Sequence, residues 1–421
     1  MYDVKAVLKQ LPRTEDGRIS SLIIQGRPGI GKTHFAQALV PKGAPIVRIP
    51  MATRTAEDFG SYPLPVRDKV TVLKRDANGN VMTDGEGNEL TTEKEVFRVE
   101  QALSESTIEP LMERNIGDGY GVLVLDDVTL GDPRLQSAVL EVVQFGVIAN
   151  DQIGRNVIIV LTGNTTADGA YAVEWSKPLL GRCMLVNLEP NFDIWCDLDD
   201  NQNIEPVVMG FLKDHGSFFA PEVGDDDTTD ESGKTPSPRD WTRLGLAFSG
   251  FGGYKKFEPS IIAQSIREYS NCFVGTKAGA AFAQYANNFG VYPTGQELFD
   301  SEDAWKRVPE DRKDMLSGAI AVIFALRNHA IKLLNDKLSD KKACHEIVKT
   351  MFDRTRLVAS ENREVIAYMV KYFVSWATDE ANRKDRINVV DATAGVMTST
   401  EYRNDRDFKD FLDALWKLNN K

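Results

Sequence analysis

Over roughly the first 190 residues, short runs of aliphatic and β-branched side chains alternate with amphipathic stretches. That alternation is the pattern of a parallel sheet whose strands are joined by helices. Runs at residues 21–25, 46–49, 121–125, 157–161 and 184–188 predict strands. Residues 33–40 predict a helix stopped by Pro41, because proline cannot continue one. Residues 135–145 predict another, with Leu135, Val139, Leu140, Val142 and Val143 spaced for a largely buried face. Between the second and third strands the chain makes a long excursion. Residues 70–74 and 95–99 read as strands flanking DANGNVMTDGEGNEL, which is dense in turn formers. A β-hairpin insertion near 66–98 is expected there, and a surface excursion without a role fits the same pattern. No internal repeat is evident.

After Pro190 the periodicity turns helical and stays so, with helices predicted at 260–272, 278–289, 313–339, 343–358, 363–378 and 405–418. Lacking strands, this half should pack as helical layers. The stretch PEVGDDDTTDESGKTPSPR, residues 221–239, interrupts it, with Asp225, Asp226, Asp227, Asp230 and Glu231 crowded together. Such a run reads as a solvated loop rather than a metal or partner site.

A chain of 421 residues exceeds one small core, so two or three domains are expected. With 42% hydrophobic and 27% charged residues, the composition is that of a soluble globular protein. The longest apolar run, residues 319–326, is far shorter than a membrane span, and the polar N-terminus does not read as a signal peptide. Cys183, Cys196, Cys272 and Cys344 are scattered without paired spacing. They are expected as free thiols in a reducing, cytoplasmic setting. A formal net charge of −12 argues against a broad nucleic-acid footprint, which needs excess Lys and Arg.

The strongest chemical signal is GRPGIGKT at residues 26–33, matching GxxxxGK[ST] between a predicted strand and a predicted helix. Gly26, Gly29 and Gly31 let the backbone curl so that successive N–H groups face a phosphate at the helix N-terminus. Arg27, Pro28, Ile30 and His34 complete the stretch expected to line that site. Lys32 would reach the β- and γ-phosphates of ATP, and Thr33 would offer its hydroxyl to Mg²⁺. A magnesium–nucleotide site needs a second element, an apolar strand ending in a carboxylate, and GVLVLDDV supplies it. Asp126 is expected to hold the Mg²⁺ shell, mainly through water, and Asp127 to orient the attacking water. The strand at 157–161 runs into Thr162, Gly163 and Asn164, which sets a neutral amide beside the nucleophile position. Arg182 follows Leu179, Leu180 and Gly181, where it reads either as a finger reaching a neighbour's γ-phosphate or as a surface ion pair.

In this order the elements resemble the AAA+ superfamily, and more closely its MoxR-like, dynein-related ATPases. The resemblance spans about residues 15–325. DFGSYPLP at 58–65 is similar to that family's segment before its helix insertion, and GNTTADGAY with PLLGR to its sensor-Asn and arginine-finger stretch. SPRDW at 237–241 is similar to its second sensor, which makes Arg239 the arginine reading the γ-phosphate from a helical lid. VGTKAGAAFAQY, from Val274, resembles the helical segment after that lid. The resemblance implies an α/β P-loop NTPase of αβα architecture over 1–190, a helical lid over 191–290 with its acidic loop at 221–236, and a helical C-terminal region over 291–421. It further implies a hexameric ring that hydrolyses ATP between subunits and remodels a protein client, chaperone-like, beside a von Willebrand factor A-domain partner. Residues after about 330 lie outside the likeness and become the candidate client-recognition region.

Two departures stand out. Asp127 occupies the place of a Glu and is one methylene shorter, and Cys183 occupies that of a Phe. A carboxylate about 1 Å too far from its water can cost roughly 10²-fold in rate. The chain therefore reads first as an ATP-driven remodelling ring, next as a nucleotide-gated scaffold with slow hydrolysis, and last as a DNA-translocating motor. The insertion at 66–98 and the turn GVIANDQIG at 146–154 are the candidates for pore contacts.

Overall fold

The computed structural model describes residues 11–41, 43–55, 62–76, 79–102, 106–148, 151–165, 172–198, 204–222, 224–225, 227–231, 233–250, 262–360, 364–378, 384–399 and 402. Its strands in chain order are β1 (Leu22–Gln25), β2 (Ile46–Pro50), β3 (Tyr62–Leu73), β4 (Thr91–Ala102), β5 (Gly121–Asp126), β6 (Val147–Ile148), β7 (Asp151–Gln152), β8 (Val157–Gly163) and β9 (Met184–Asn187). Five of them form one parallel sheet in the order β2-β5-β8-β1-β9. All five predicted strands are present, and the sheet is that of an α/β P-loop NTPase core.

Sequence explains which strands sit inside. β5 and β8 are buried along their whole length and read as unbroken apolar runs, as strands covered on both faces must. β2 is an edge strand whose Val47 and Ile49 are buried while Ile46 and Arg48 are exposed. Alternate residues feed two separate cores. Ile23, Leu123, Leu125, Ile159 and Leu161 face one, and Leu22, Ile24, Val122, Val124, Ile158 and Val160 face the other.

Contacts divide the chain into two units, one of Tyr2–Gly26 with Lys32–Leu188 and one of Arg27–Gly31 with Glu189–Lys421. In the first, α1 (Lys32–Gln37) is shorter than the predicted 33–40. The ladder bond from Ala38 N–H to His34 O gives way to an i→i−3 bond from Leu39 N–H to Ala36 O, so the last turn tightens before Pro41. α2 (Leu135–Phe145) matches its prediction. It buries Leu135, Val139, Val142 and Val143 and ends on Gly146, whose φ of 61° and N–H bond to Val142 O close the helix. α3 (Lys177–Leu180) is a single turn.

β3 and β4 form the expected hairpin, but their pairing runs from Tyr62 opposite Ala102 to Leu73 opposite Thr91, well beyond the predicted strands. Pro63 and Pro65 look like breakers in the sequence. They lie two apart, so both missing N–H groups fall on the side of the ribbon that has no partner strand. The tip also holds a repeat that the sequence pattern had not suggested. Asp76 and Asp84, eight positions apart, each accept a bond from the backbone N–H of the Asn four residues on, Asn80 and Asn88. Lys74, Met82 and Leu90, at the same spacing, then close a three-membered ring of backbone bonds, each 2.8 Å.

The second unit is helical among its described residues beyond Glu189: α4 (Pro206–Asp214), α5 (Pro238–Gly250), α6 (Ile262–Val274), α7 (Thr276–Phe289), α8 (Leu316–Asn335), α9 (Lys341–Ala359), α10 (Glu364–Ala377) and α11 (Ile387–Thr398) are its longer helices. One hydrophobic core runs through it from Trp195 to Tyr402. α8 lies within the helix predicted at 313–339, and its apolar character extends beyond the run at 319–326, so by length and composition it passes for a membrane span. Here 61% of its most apolar window is buried inside the protein, since Ala319 to Phe324 and Leu326 all face core. Within the acidic stretch, Asp225 and Asp230 act as turn formers. Asp225 accepts from Asp227 N–H, and Asp230 accepts from Lys234 N–H and Thr276 N–H. The predicted helix at 405–418 and residues 58–61 of the DFGSYPLP segment lie outside the described residues.

Candidate functional site

The parallel register sets the geometry of the first unit. Gln25 lies opposite Gly163 and Asn187, and Pro50 lies opposite Asp126, so five strand ends meet at one edge of the sheet. Strand order reverses at β1, and α/β folds bind their ligands outside the carboxyl ends at such a switch point. The loop at 26–33 leaves β1 there and leads into α1. Gly29 and Gly31 have φ of 79° and 98°, where a side chain would be strained.

Lys32 opens α1 and is buried, yet its ammonium is satisfied. Nζ donates to Gly26 O at 2.7 Å and to Asn164 Oδ1 at 2.6 Å. The nucleotide lysine and the sensor asparagine of the sequence reading are therefore in direct contact. Thr33, next along α1, donates its hydroxyl to Asp126 Oδ1 at 3.0 Å. Asp126, at the end of β5, is only 3% exposed. Its Oδ1 also accepts from Thr162 Oγ1 at 2.5 Å, and its Oδ2 accepts from the Arg48 guanidinium, with Nε at 2.7 Å and a terminal nitrogen close by. Asp127 follows in the left-handed region, φ 58° and ψ 43°, the one described residue other than glycine with positive φ. Its N–H donates to the same Thr162 hydroxyl at 2.9 Å. Thr129 clamps Asn164 from behind, accepting from its N–H at 2.9 Å and donating to its carbonyl at 3.3 Å.

Arg48, Thr129 and Thr162 had no role in the sequence reading. Thr162 carried a faint signal as a hydroxyl at the end of an apolar strand, and Arg48 as the polar position of an edge strand two residues before the level of Asp126. What each one touches depends on strand register, which the sequence does not state.

Arg182 is exposed in the same unit. It donates to Gln144 Oε1 and to Pro178 O, both at 3.1 Å, so its partners are an amide and a carbonyl rather than the carboxylate of an ion pair. Cys183 beside it is packed against the sheet core, and burial pushes its thiol up to about 12. His34 is exposed on α1. In the second unit, Arg27 donates to Ala220 O at 2.9 Å and Pro221 O at 2.7 Å. Gly29 O accepts from the backbone N–H of Arg239 at 3.2 Å, and Arg239 itself is exposed near the start of α5. Pro28 and Ile30 belong to that unit as well.

The donor set suits a hard divalent cation with a nucleotide. Magnesium takes one or two protein oxygens and fills its octahedron with phosphate and water. Thr33 Oγ1 and Asp126 Oδ1, 3.0 Å apart, supply such a pair. Among the described residues no three His, Cys, Asp or Glu gather at one place.

No family model matches the chain, and no curated protein matches it. Among solved structures it is similar to NtrX from Brucella abortus, crystallised in complex with ADP, at 13% identity and a TM-score of 0.31. That match covers 79% of this chain, and the chain spans 64% of the length of that protein. A likeness of this size carries no inference about activity. The class rests on the chain itself, in which a parallel sheet presents a glycine-rich loop, a buried lysine and a buried strand-end aspartate at one edge. That is a P-loop nucleotide-binding fold.

Proposed function

We propose that this chain binds ATP with magnesium at residues 26–33 and hydrolyses it as a subunit of an AAA+ ring of the MoxR-like kind, acting on a partner protein. The observation that carries the reading is the meeting of Lys32, Thr33, Asp126 and Asn164 at the carboxyl edge of the sheet. In this reading Lys32 exchanges Gly26 O and Asn164 Oδ1 for phosphate oxygens, and Thr33 and Asp126 hold the cation. Magnesium, when bound, supplies charge neutralisation of the phosphates. Asn164 and Asp127 then orient water at the γ-phosphate. Arg182 serves the site of a neighbouring subunit, and Arg239 serves as the lid's sensor.

Titration of a fluorescent ATP analogue tests the first step. Lys32→Ala is expected to weaken binding by about 100-fold or more, the effect of removing a charge-assisted contact from a buried site. Unchanged affinity would overturn the assignment. Mixing Lys32→Ala with Arg182→Ala subunits tests the ring. Each is inactive alone, but a mixed ring pairs an intact nucleotide site with a donated Arg182 and regains phosphate release. Absence of rescue, with rings visible by electron microscopy, removes Arg182 from the site.

A slower, scaffold-like protein is the second reading, and Asp127 favours it through its short side chain and left-handed backbone. Asp127→Glu is then expected to raise turnover at least about tenfold, since an ångström of misplacement costs up to 10²-fold. No gain refutes it. A DNA motor is the reading that the net charge of −12 opposes, and salt-sensitive DNA binding by the ring would restore it.

A further inference from the structure

A carboxylate as buried as Asp126 needs a counter-charge, because an ionised group shut away from water is costly unless paired. Two of its neighbours, Thr33 and Thr162, are neutral hydroxyls, and both donate to Oδ1. The positive charge comes from Arg48, whose Nε and terminal nitrogen both lie on Oδ2. Arg48 stands on β2 two residues before Pro50, the position that pairs with Asp126. Its side chain is 55% exposed while that of Asp126 is 4% exposed, so the guanidinium reaches inward from solvent. It can withdraw without leaving a buried charge of its own unpaired.

We infer that Arg48 is a tethered counter-cation. It neutralises Asp126 in the nucleotide-free protein and yields the carboxylate to Mg²⁺ when nucleotide arrives. Both cations need the same carboxylate, and a divalent ion with its water shell competes directly with a guanidinium lying across Oδ2. The magnesium requirement of the protein is therefore set by displacement of Arg48 as well as by the strength of the site. Arg48 is a positioning residue in this account and touches no reacting atom. The inference rests on the reading that Asp126 holds the cation.

The test is a magnesium titration of the full chain at saturating ATP analogue, with binding rather than turnover as the readout. Arg48→Gln removes the competitor and is expected to lower the Mg²⁺ concentration for half-saturation roughly tenfold, the size of one charge-assisted hydrogen-bonded pair. Arg48→Lys keeps the charge but loses the fork geometry, so it should fall between the two. In the nucleotide-free protein, Arg48→Gln should lower the unfolding temperature, and millimolar Mg²⁺ alone should raise it by more than in the parent. Should Arg48→Gln fail to fold, the Arg48→Lys titration decides. An unchanged or raised half-saturation point in either variant overturns the inference. Asp126→Asn separates this from failure of the underlying reading. If its magnesium dependence equals that of the parent, Asp126 does not hold the cation, and the role of Arg48 falls with it.

Discussion

Thr162 offers a test of the site that does not depend on the identity of the ligand. Its hydroxyl is fully buried, donates to Asp126 Oδ1 at 2.5 Å and accepts from Asp127 N–H at 2.9 Å. Valine has nearly the same shape but makes neither bond. Losing a hydrogen bond to a charged group costs about 1.5–3 kcal/mol, and losing a neutral one about 1 kcal/mol. Thr162→Val should therefore destabilise the α/β unit by roughly 2.5–4 kcal/mol. Thr162→Ser keeps both bonds and gives up one buried methyl, which costs about 1 kcal/mol. The valine variant should thus be the worse of the two by about 2 kcal/mol, the opposite of the ranking by apolar burial. Urea denaturation gives the totals, and hydrogen exchange in peptides covering 121–127 and 157–164 shows where protection is lost. If Thr162→Val stays within about 0.5 kcal/mol of the parent, or the serine variant is the less stable, the hydroxyl does not organise this edge.

Other outcomes follow from the same geometry. Asp127 sits at φ 58°, which Asn tolerates and a β-branched residue does not. Asp127→Asn should keep stability within about 0.5 kcal/mol while lowering phosphate release, and Asp127→Val should cost about 1–2 kcal/mol more in thermal unfolding. Equal stabilities would count against the left-handed backbone. At Gly29, φ is 79° and an added Cβ would lie 2.6 Å from Ser237 Oγ. Gly29→Ala should cost at least about 1–2 kcal/mol, of which Ser237→Ala in the same chain recovers only the clash with Oγ, since the Ser237 Cβ at 2.9 Å remains. Full recovery would mean the backbone angle is unstrained. Cys183, with its thiol pushed up to about 12, is almost wholly protonated at pH 8. Iodoacetamide should therefore modify exposed Cys272 well before Cys183, as read by mass spectrometry. Equal rates would show that the packing around Cys183 does not shield its thiol.

The sequence by itself determined whatever is local. Apolar runs of the right length fixed the five strands of the sheet, and 3.6-residue spacing fixed α2 to the residue. The loop at 26–33 and the aspartates closing β5 were equally legible, because a glycine turn and a strand-end carboxylate are written in consecutive positions. Parallel register was not legible. Arg48 meets Asp126 across 78 positions and Thr162 meets it across 36, and nothing near either residue encodes the partner. The same holds for the grip of Thr129 on Asn164. Periodicity and turn chemistry act over a few residues, so they survive in the one-dimensional pattern. Register is chosen by the packing of whole faces, so only the folded chain shows that the carboxylate named as a magnesium ligand already carries an arginine.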